Sequence, residues 1–435
     1  MKKSRSTKKP DVSASLLETE KVDSNPALVP KLRFPEFVGG EGWAARTLSS
    51  FLFERSEFPK EPVPLFSLTI EDGVTPKTER YERSFLVRDE KDAYKLMLPG
   101  DFALNPMNLR FGAIGKHNGT QAIAVSKYYN IFFCDQSVDD KFCEIYFRSN
   151  QLISFYDKMA IGTLIEKRRV HFSDFLNFKL PFPTSPEQRK IASCLASLDE
   201  LIGEQGRKVD ALRTHKKGLM QQLFPREGEP QPQLRFPEFQ DAGDWEETNL
   251  AQLGELVSGL TYSPDDIRDS GLLVLRSSNV QDGEISLYDN VYVDPAIRGA
   301  NLSQPNDILI CVRNGSKALI GKCALIPEGM PLCTHGAFMT VFRSQASRFV
   351  FQLFQTDRYQ KQVAGDLGAT INSINGRQLL KYKFIVPTLP EQQRIASCLG
   401  NLDALITAET QKHEALKTHK LGLMQQMFPS PEEAS

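Results

Sequence analysis

The sequence predicts an α+β protein. Two strand-rich α/β domains and a pair of long antiparallel coiled-coil helices form a pseudo-two-fold tandem repeat. Three observations predict this. Pro183–Pro225 and Pro387–Pro429 are identical at 27 of 43 positions, aligned without gaps. The hexapeptide LRFPEF opens at Leu32 and again at Leu234, and each copy is followed at the same spacing by a tryptophan, Trp43 or Trp245. Between these landmarks, residues 50–180 and 250–385 show little similarity. Cores tolerate many apolar combinations, so near-identity over a helix points to a surface that something outside the chain meets twice.

The elements follow in order. Residues 1–31 begin with five Lys/Arg in ten positions and read as a disordered basic tail. Residues 32–182 form the first globular domain and 183–225 the first repeated helix. The segment 226–233, REGEPQPQ, is a polar proline-containing linker. Residues 234–386 form the second domain, and 387–435 the second helix with its tail. Both helices open with Thr-x-Pro-Glu, Thr184 to Glu187 and Thr388 to Glu391, the spacing of a capping box. Their apolar residues then step by four and three. Ile191, Leu195, Leu198, Ile202, Leu212 and Leu219 form one seam; Ile395, Leu399, Leu402, Ile406, Leu416 and Leu423 form the other. Gln205 and Lys216 interrupt the first seam where Glu409 and Lys420 interrupt the second, which sets register.

This pattern has a geometric consequence. A rod of about 33 residues spans roughly 50 Å, and the second helix must run back along it to pack. Equivalent outer faces then present themselves to two identical partners. Two unlike domains at that reach match about 15 base pairs of duplex, an arrangement suited to a bipartite, non-palindromic DNA target.

Composition narrows the function. The 435 residues carry a net charge of −1, so any nucleic-acid contact depends on local charge. Seven cysteines without a CxxC pair fit a reduced, cytoplasmic protein and give no zinc spacing. No run of eighteen apolar residues predicts a membrane span. The string NPMN at Asn105–Asn108 lacks the second proline and the aromatic of an adenine-methylating site, and there is no GxxxxGK[ST] loop. The chain is therefore expected to be non-catalytic and to bind no metal.

Candidate DNA-reading residues are those whose side chains pair with base edges or phosphates near glycine turns. In the first domain these are Asn105, Asn108, Arg110, Lys116, His117, Asn118 and, from EKRR, Arg168. In the second they are Arg276 and Asn279 from LRSSN, then Arg313, Asn314, Ser316 and Lys317 from CVRNGSK, and Asn372 and Ser373 beside Thr370.

PEQRKIASCLASLDELI, PEQQRIASCLGNLDALI and the GLMQQLFP-type endings resemble the conserved regions of the specificity subunits of Type I restriction-modification systems. The LRFPEF…W opening is similar to the start of a target recognition domain in that family. The resemblance covers nearly the whole chain beyond the tail. It implies two target recognition domains, each reading half of a split double-stranded DNA sequence. It implies helices that dock two methyltransferase subunits, through which restriction and translocase subunits join. S-adenosylmethionine, ATP and Mg are then expected on those partners, and this chain binds no cofactor directly. The first domain departs from the pattern at GTLIEKRRVHFSDF (Gly162–Phe175), where the second has GATINSINGRQL (Gly368–Leu379). The rival reading is a coiled-coil protein–protein scaffold without DNA readout.

Overall fold

A computed structural model describes residues 28–77, 94–164, 167–367 and 372–431. The chain divides into two compact units, Met1–Ile202 with Ala415–Ser435, and Gly203–Glu414. The first unit is thus closed by the C-terminal segment, and the second is one continuous stretch of sequence. Of the expected basic tail, residues 1–27 lie outside the described residues. Residues 28–31 are described, and the Trp43 N–H donates to Leu28 O at 2.7 Å.

The first unit contains β1 (Ala44–Thr47), β2 (Leu52–Arg55), β3 (Phe66–Thr69), β4 (Gly73–Pro76), β5 (Tyr94–Met97), β6 (Phe102–Leu104), β7 (Ile114–Lys116), β8 (Ile123–Ser126) and β9 (Asn130–Cys134). Helices α1 (Asp140–Phe147), α2 (Asn150–Met159) and α3 (Phe172–Leu176) follow, then β10 (Lys179–Phe182) and the start of α4 (Ser185–Leu223). The second unit holds the rest of α4, then β11 (Glu246–Asn249), α5 (Leu250–Leu253), β12 (Glu255–Ser258), β13 (Ile267–Arg268), β14 (Leu272–Leu275), β15 (Val280–Gln281), β16 (Glu284–Ile285) and β17 (Val291–Val293). It continues through β18 (Ile308–Cys311), β19 (Cys323–Leu325), β20 (Cys333–His335), β21 (Met339–Arg343), α6 (Ser347–Leu353), α7 (Asp357–Asp366), α8 (Gly376–Leu379), β22 (Lys383–Val386) and most of α9 (Leu389–Met427).

The two units share a frame that their sequences hide. The central antiparallel sheets have orders β2-β9-β6-β7 and β12-β21-β18-β19. In each unit the first strand pairs antiparallel with the last, β1 with β10 and β11 with β22, so the LRFPEF segment is brought back to the root of its helix. There Arg33 forms a two-pronged pair with Glu187, Nε to Oε1 at 2.8 Å and Nη2 to Oε2 at 2.7 Å. Arg235 repeats this on Glu391, at 2.8 and 2.7 Å. Phe34 lies under Lys190 at 5.4 Å and Phe236 under Arg394 at 4.2 Å. The expected capping role of Glu187 and Glu391 gives way to this: buried carboxylates are held by the bidentate guanidinium, the stronger partner.

The helices are single elements of 39 residues each, about 58 Å long at 1.5 Å per residue. In the first unit the start of α4 meets the end of α9. Ile191, Ala192 and Leu195 share a core with Met427 and Phe428, and Lys420 reaches Asp199. In the second unit the end of α4 meets the start of α9. Leu223 and Phe224 pack with Ile395 and Leu399, and Lys216 Nζ lies 2.6 Å from Asp403. The helices are thus antiparallel, and the Lys–Asp pair is written twice at equivalent repeat positions. Gln205 and Glu409, also equivalent, meet each other: Gln205 Nε2 donates to Glu409 O at 3.0 Å and Oε2 at 2.6 Å. Of the seam residues, Ile191, Leu195, Ile395 and Leu399 are fully buried. Leu198, Ile202, Leu212, Leu219, Leu402, Ile406, Leu416 and Leu423 are half-buried.

Each core is therefore sealed by the other helix. Phe428 inserts beside Trp43 and Tyr146, with ring centroids 6.3 and 5.3 Å apart. Phe224 lies 6.5 Å from Trp245 and 5.8 Å from Phe349. Burying a phenylalanine this way contributes about 1.5–3 kcal/mol. No helix among the described residues is long and apolar enough to cross a membrane.

Candidate nucleic-acid interface

In each unit the hairpin of an inner strand and its neighbouring edge strand in the central sheet ends in a loop. In the first unit the loop joins β6 to β7, residues 105–113, and in the second it joins β18 to β19, residues 312–322. Asparagine side chains shape both turns. Asn105 Oδ1 accepts from the Met107 N–H at 3.1 Å, and Asn314 Oδ1 from the Ser316 N–H at 2.9 Å. A buried aspartate anchors the base of each hairpin. Asp101 accepts from Leu98 N–H at 2.8 Å and Arg55 Nε at 2.7 Å; Asp307 accepts from Gln304 N–H at 2.8 Å and Arg343 Nε at 2.9 Å.

The second unit gathers its candidates. Arg313 forms a bridge with Ser373, and the Asn372 amide donates to Gly315 O at 3.1 Å. Asn314 Nδ2 donates to Ser277 Oγ at 2.9 Å, which joins the Arg276–Asn279 turn to the loop. Arg276 pairs with Asp289 at 2.7 Å. Arg313, Ser316 and Lys317 are exposed, and Asn314, Asn372 and Ser373 half-buried. Thr370 lies outside the described residues. Asn279 is no surface group. It is completely buried, its Oδ1 accepting from Arg276 N–H at 2.9 Å and its Nδ2 donating to Ser286 O at 2.8 Å.

The first unit splits its candidates between the two ends of the β6–β7 hairpin. Asn105, Asn108 and Arg110 are at the loop end. Arg168 joins them through Asp157, whose Oδ1 lies 3.1 Å from Arg110 Nη1 and 3.6 Å from Arg168 Nη1. Lys116, His117 and Asn118 line a cavity of about 310 Å³ at the other end. Lys116 is buried and pairs with Asp140 at 2.7 Å. His117 is buried with a ring nitrogen 2.7 Å from Gln121 O. Asn118 Nδ2 donates to Glu144 at 2.8 Å. These contacts hold the fold of that end, so the candidates between residues 105 and 118 do not lie in one cluster.

Sequence reading missed the correspondence between the loops. With Gly100–Lys116 laid on Asn306–Lys322, Asp101, Asn108, Ile114, Gly115 and Lys116 meet Asp307, Asn314, Ile320, Gly321 and Lys322. That gapless match is a weak signal: only five of seventeen positions agree, and past the turn the frames part, since Leu104 pairs with Ile114 but Ile310 with Cys323.

The architecture and these loops have relatives. Residues 242–418 match the profile of the Type I restriction modification DNA specificity domain. The specificity subunit of the Type I restriction enzyme MjaVIII of Methanocaldococcus jannaschii is 27% identical over 288 residues, covering 62% of this chain and 65% of that one. The EcoKI specificity subunit of Escherichia coli K12 is 27% identical over 182 residues, 40% of this chain and 39% of that one. Over these matched segments the chain is similar to Type I specificity subunits. Its matched segment spans less than two thirds of either relative. The fold of the Type-I restriction-modification system S subunit from M. genitalium superposes with a TM-score of 0.58 at 14% identity, covering 92% of this chain and 99% of that one. A chain from a solved type I R-M system gives 0.53 at 18%, covering 90% and 98%. In this specificity-subunit fold the profile match covers most of the second unit, where the polar loop is assembled.

Proposed function

We propose that this chain selects DNA sequence for a Type I restriction-modification complex without itself catalysing a reaction. Each unit reads one half of a bipartite, non-palindromic double-stranded target. One observation carries the reading: two equivalent frames present unlike loop residues, while the helices beside them are nearly identical. A selector needs that combination, because the recognised object differs and the attached machinery does not. Phosphate contacts position such domains and base contacts specify. Joining two modest readers in one chain makes the second encounter intramolecular.

The repeated helices dock two methyltransferase subunits, and restriction and translocase subunits join through them. S-adenosylmethionine, ATP and Mg belong to those partners. Support for a double docking surface comes from Leu201 and Leu405, equivalent residues left 44% and 43% exposed on α4 and α9. Methylation mapping of cells with and without the chain tests the whole reading. The expected result is one split motif that loses methylation when the chain is removed. An unchanged methylome, with no sequence-dependent gel shift by the assembled complex, would leave the scaffold reading in its place.

A further inference from the structure

The two loops occupy one place in the shared frame and differ there in chemical kind. Pro106 O accepts from the Val170 N–H at 3.1 Å, and Val312 O accepts from the Ile374 N–H at 2.8 Å. These equivalent bonds fix the correspondence. Pro106 thus falls on Val312 and Met107 on Arg313; beyond them the second loop runs three residues longer, with Ile310 paired to Cys323 where Leu104 is paired to Ile114. In the second unit this surface is cationic and amide-bearing, with the Arg313 guanidinium 5.7 Å from the exposed Phe338 ring. In the first unit it carries hydrocarbon beside the exposed amide of Asn108: Met107 is 49% and Phe111 47% exposed. The loop packs against α2, and the Pro106–Val170 bond leads to the antiparallel bridge of Arg169 with Ile161, itself 57% exposed. Gly162 stands next to that bridge at φ +155°, where a Cβ would meet Arg168 Cα at 2.9 Å.

Arg110 and Arg168, which flank these residues, are turned to internal work. Arg110 bonds Asp157, and its guanidinium lies 4.1 Å from the Phe111 ring. Arg168 faces the same carboxylate and donates through Nε to Ala160 O at 3.2 Å. What Met107 and Phe111 offer a ligand is therefore apolar, beside the exposed Asn108 and the exposed Lys167 and Arg169 of the adjoining segment. Only one base of duplex DNA presents a hydrocarbon group in the major groove, thymine with its C5 methyl. We propose that the first unit reads thymine methyl groups through Met107 and Phe111. This rests on the DNA-reading function proposed above and names what one of its two sites takes.

The test uses the chain assembled with its methyltransferase subunits and the target obtained by methylation mapping. Duplexes carry deoxyuridine for every thymine of one half-site or the other, which keeps base pairing and removes only the methyl. Replacement in one half-site is expected to weaken binding about fourfold per contacted methyl, the effect of one buried carbon. Replacement in the other half-site leaves affinity unchanged. The Met107→Ala/Phe111→Ala variant is expected to bind both kinds of duplex alike. Should that variant not fold, Met107→Gln alone, a change at a half-exposed side chain, is read the same way. Equal binding of thymine and uracil duplexes by the unaltered complex overturns the proposal, as does a variant that still discriminates, or a target with no thymine in either half-site. In each of these cases specific binding of the natural target leaves the DNA-reading function standing. Loss of specific binding by the unaltered complex sinks both.

Discussion

His335 is fully buried in the second unit, with Nε2 3.0 Å from Val257 O and Nδ1 3.3 Å from the Ser303 hydroxyl. A carbonyl only accepts, so Nε2 carries the proton and Nδ1 accepts from Ser303. Burial pushes the imidazolium below its ordinary pKa, against the opposing pull of Val257 O and Asp307, and Arg343 lowers it further. The unfolded chain therefore takes up a proton that the folded unit refuses. Stability is complete above the unfolded histidine value and falls as pH drops below it. Thermal melts at pH 7.5 and 5.5 should show a lower midpoint for this unit at pH 5.5, with a shallower pH dependence in His335→Gln. At this scale the sequence identified the polar loop of the second unit, because Arg313, Asn314 and Lys317 stand beside glycine in a short turn. It could not separate these from Lys116, His117 and Asn279, which have similar neighbours. Their burial is decided by partners far along the chain, such as Asp140 for Lys116 and Ser286 for Asn279. Nothing in the sequence marks Met107 and Phe111 as exposed, for the same reason.

At the scale of elements, the seam interruptions have partners. Lys216 is buried between Asp403 at 2.6 Å and Gln355 at 2.6 Å. Removing one member of a buried pair strands the other and costs roughly 3–5 kcal/mol. Lys216→Asp should therefore lower the stability of the second unit by about 3 kcal/mol in denaturant unfolding, and adding Asp403→Lys should recover most of the loss. No recovery would mean that Gln355 supplies the contact that matters. The long helices were legible because 39 residues of heptad spacing leave little else to form. The strands were not placed individually: most are only two to four residues long, too short for alternation to declare itself. The capping expectation at Glu187 and Glu391 failed because local spacing ignores Arg33 and Arg235, each more than 150 residues away.

At the scale of the molecule, the near-identity of the repeats finds much of its cause inside the chain. The Glu of each PEQ holds an Arg of LRFPEF, and the Phe of each closing FP fills a tryptophan pocket. The expectation that only an outside partner explains the copies was too narrow; Leu201 and Leu405 are among the repeated residues that no internal contact of this kind absorbs. Phe428→Ala should destabilise the first unit by about 3–5 kcal/mol although the residue lies at the far end of the sequence. Calorimetry that shows the lower transition moving and the other holding would check it. Deleting one heptad from each helix shortens each rod by roughly 10 Å. Under the proposed function, methylation mapping of that variant should report a changed spacer between unchanged half-sites.

The sealing of the Trp43 pocket by Met427 and Phe428 also sets an order of events at birth. A ribosome must deliver all of Gly203–Glu414 before it can release the plug for the unit it built first. At 5–20 residues per second that wait is roughly 10–40 s. The nascent chain thus carries an open aromatic pocket through most of its own synthesis, and a chaperone acting on this protein would meet it there.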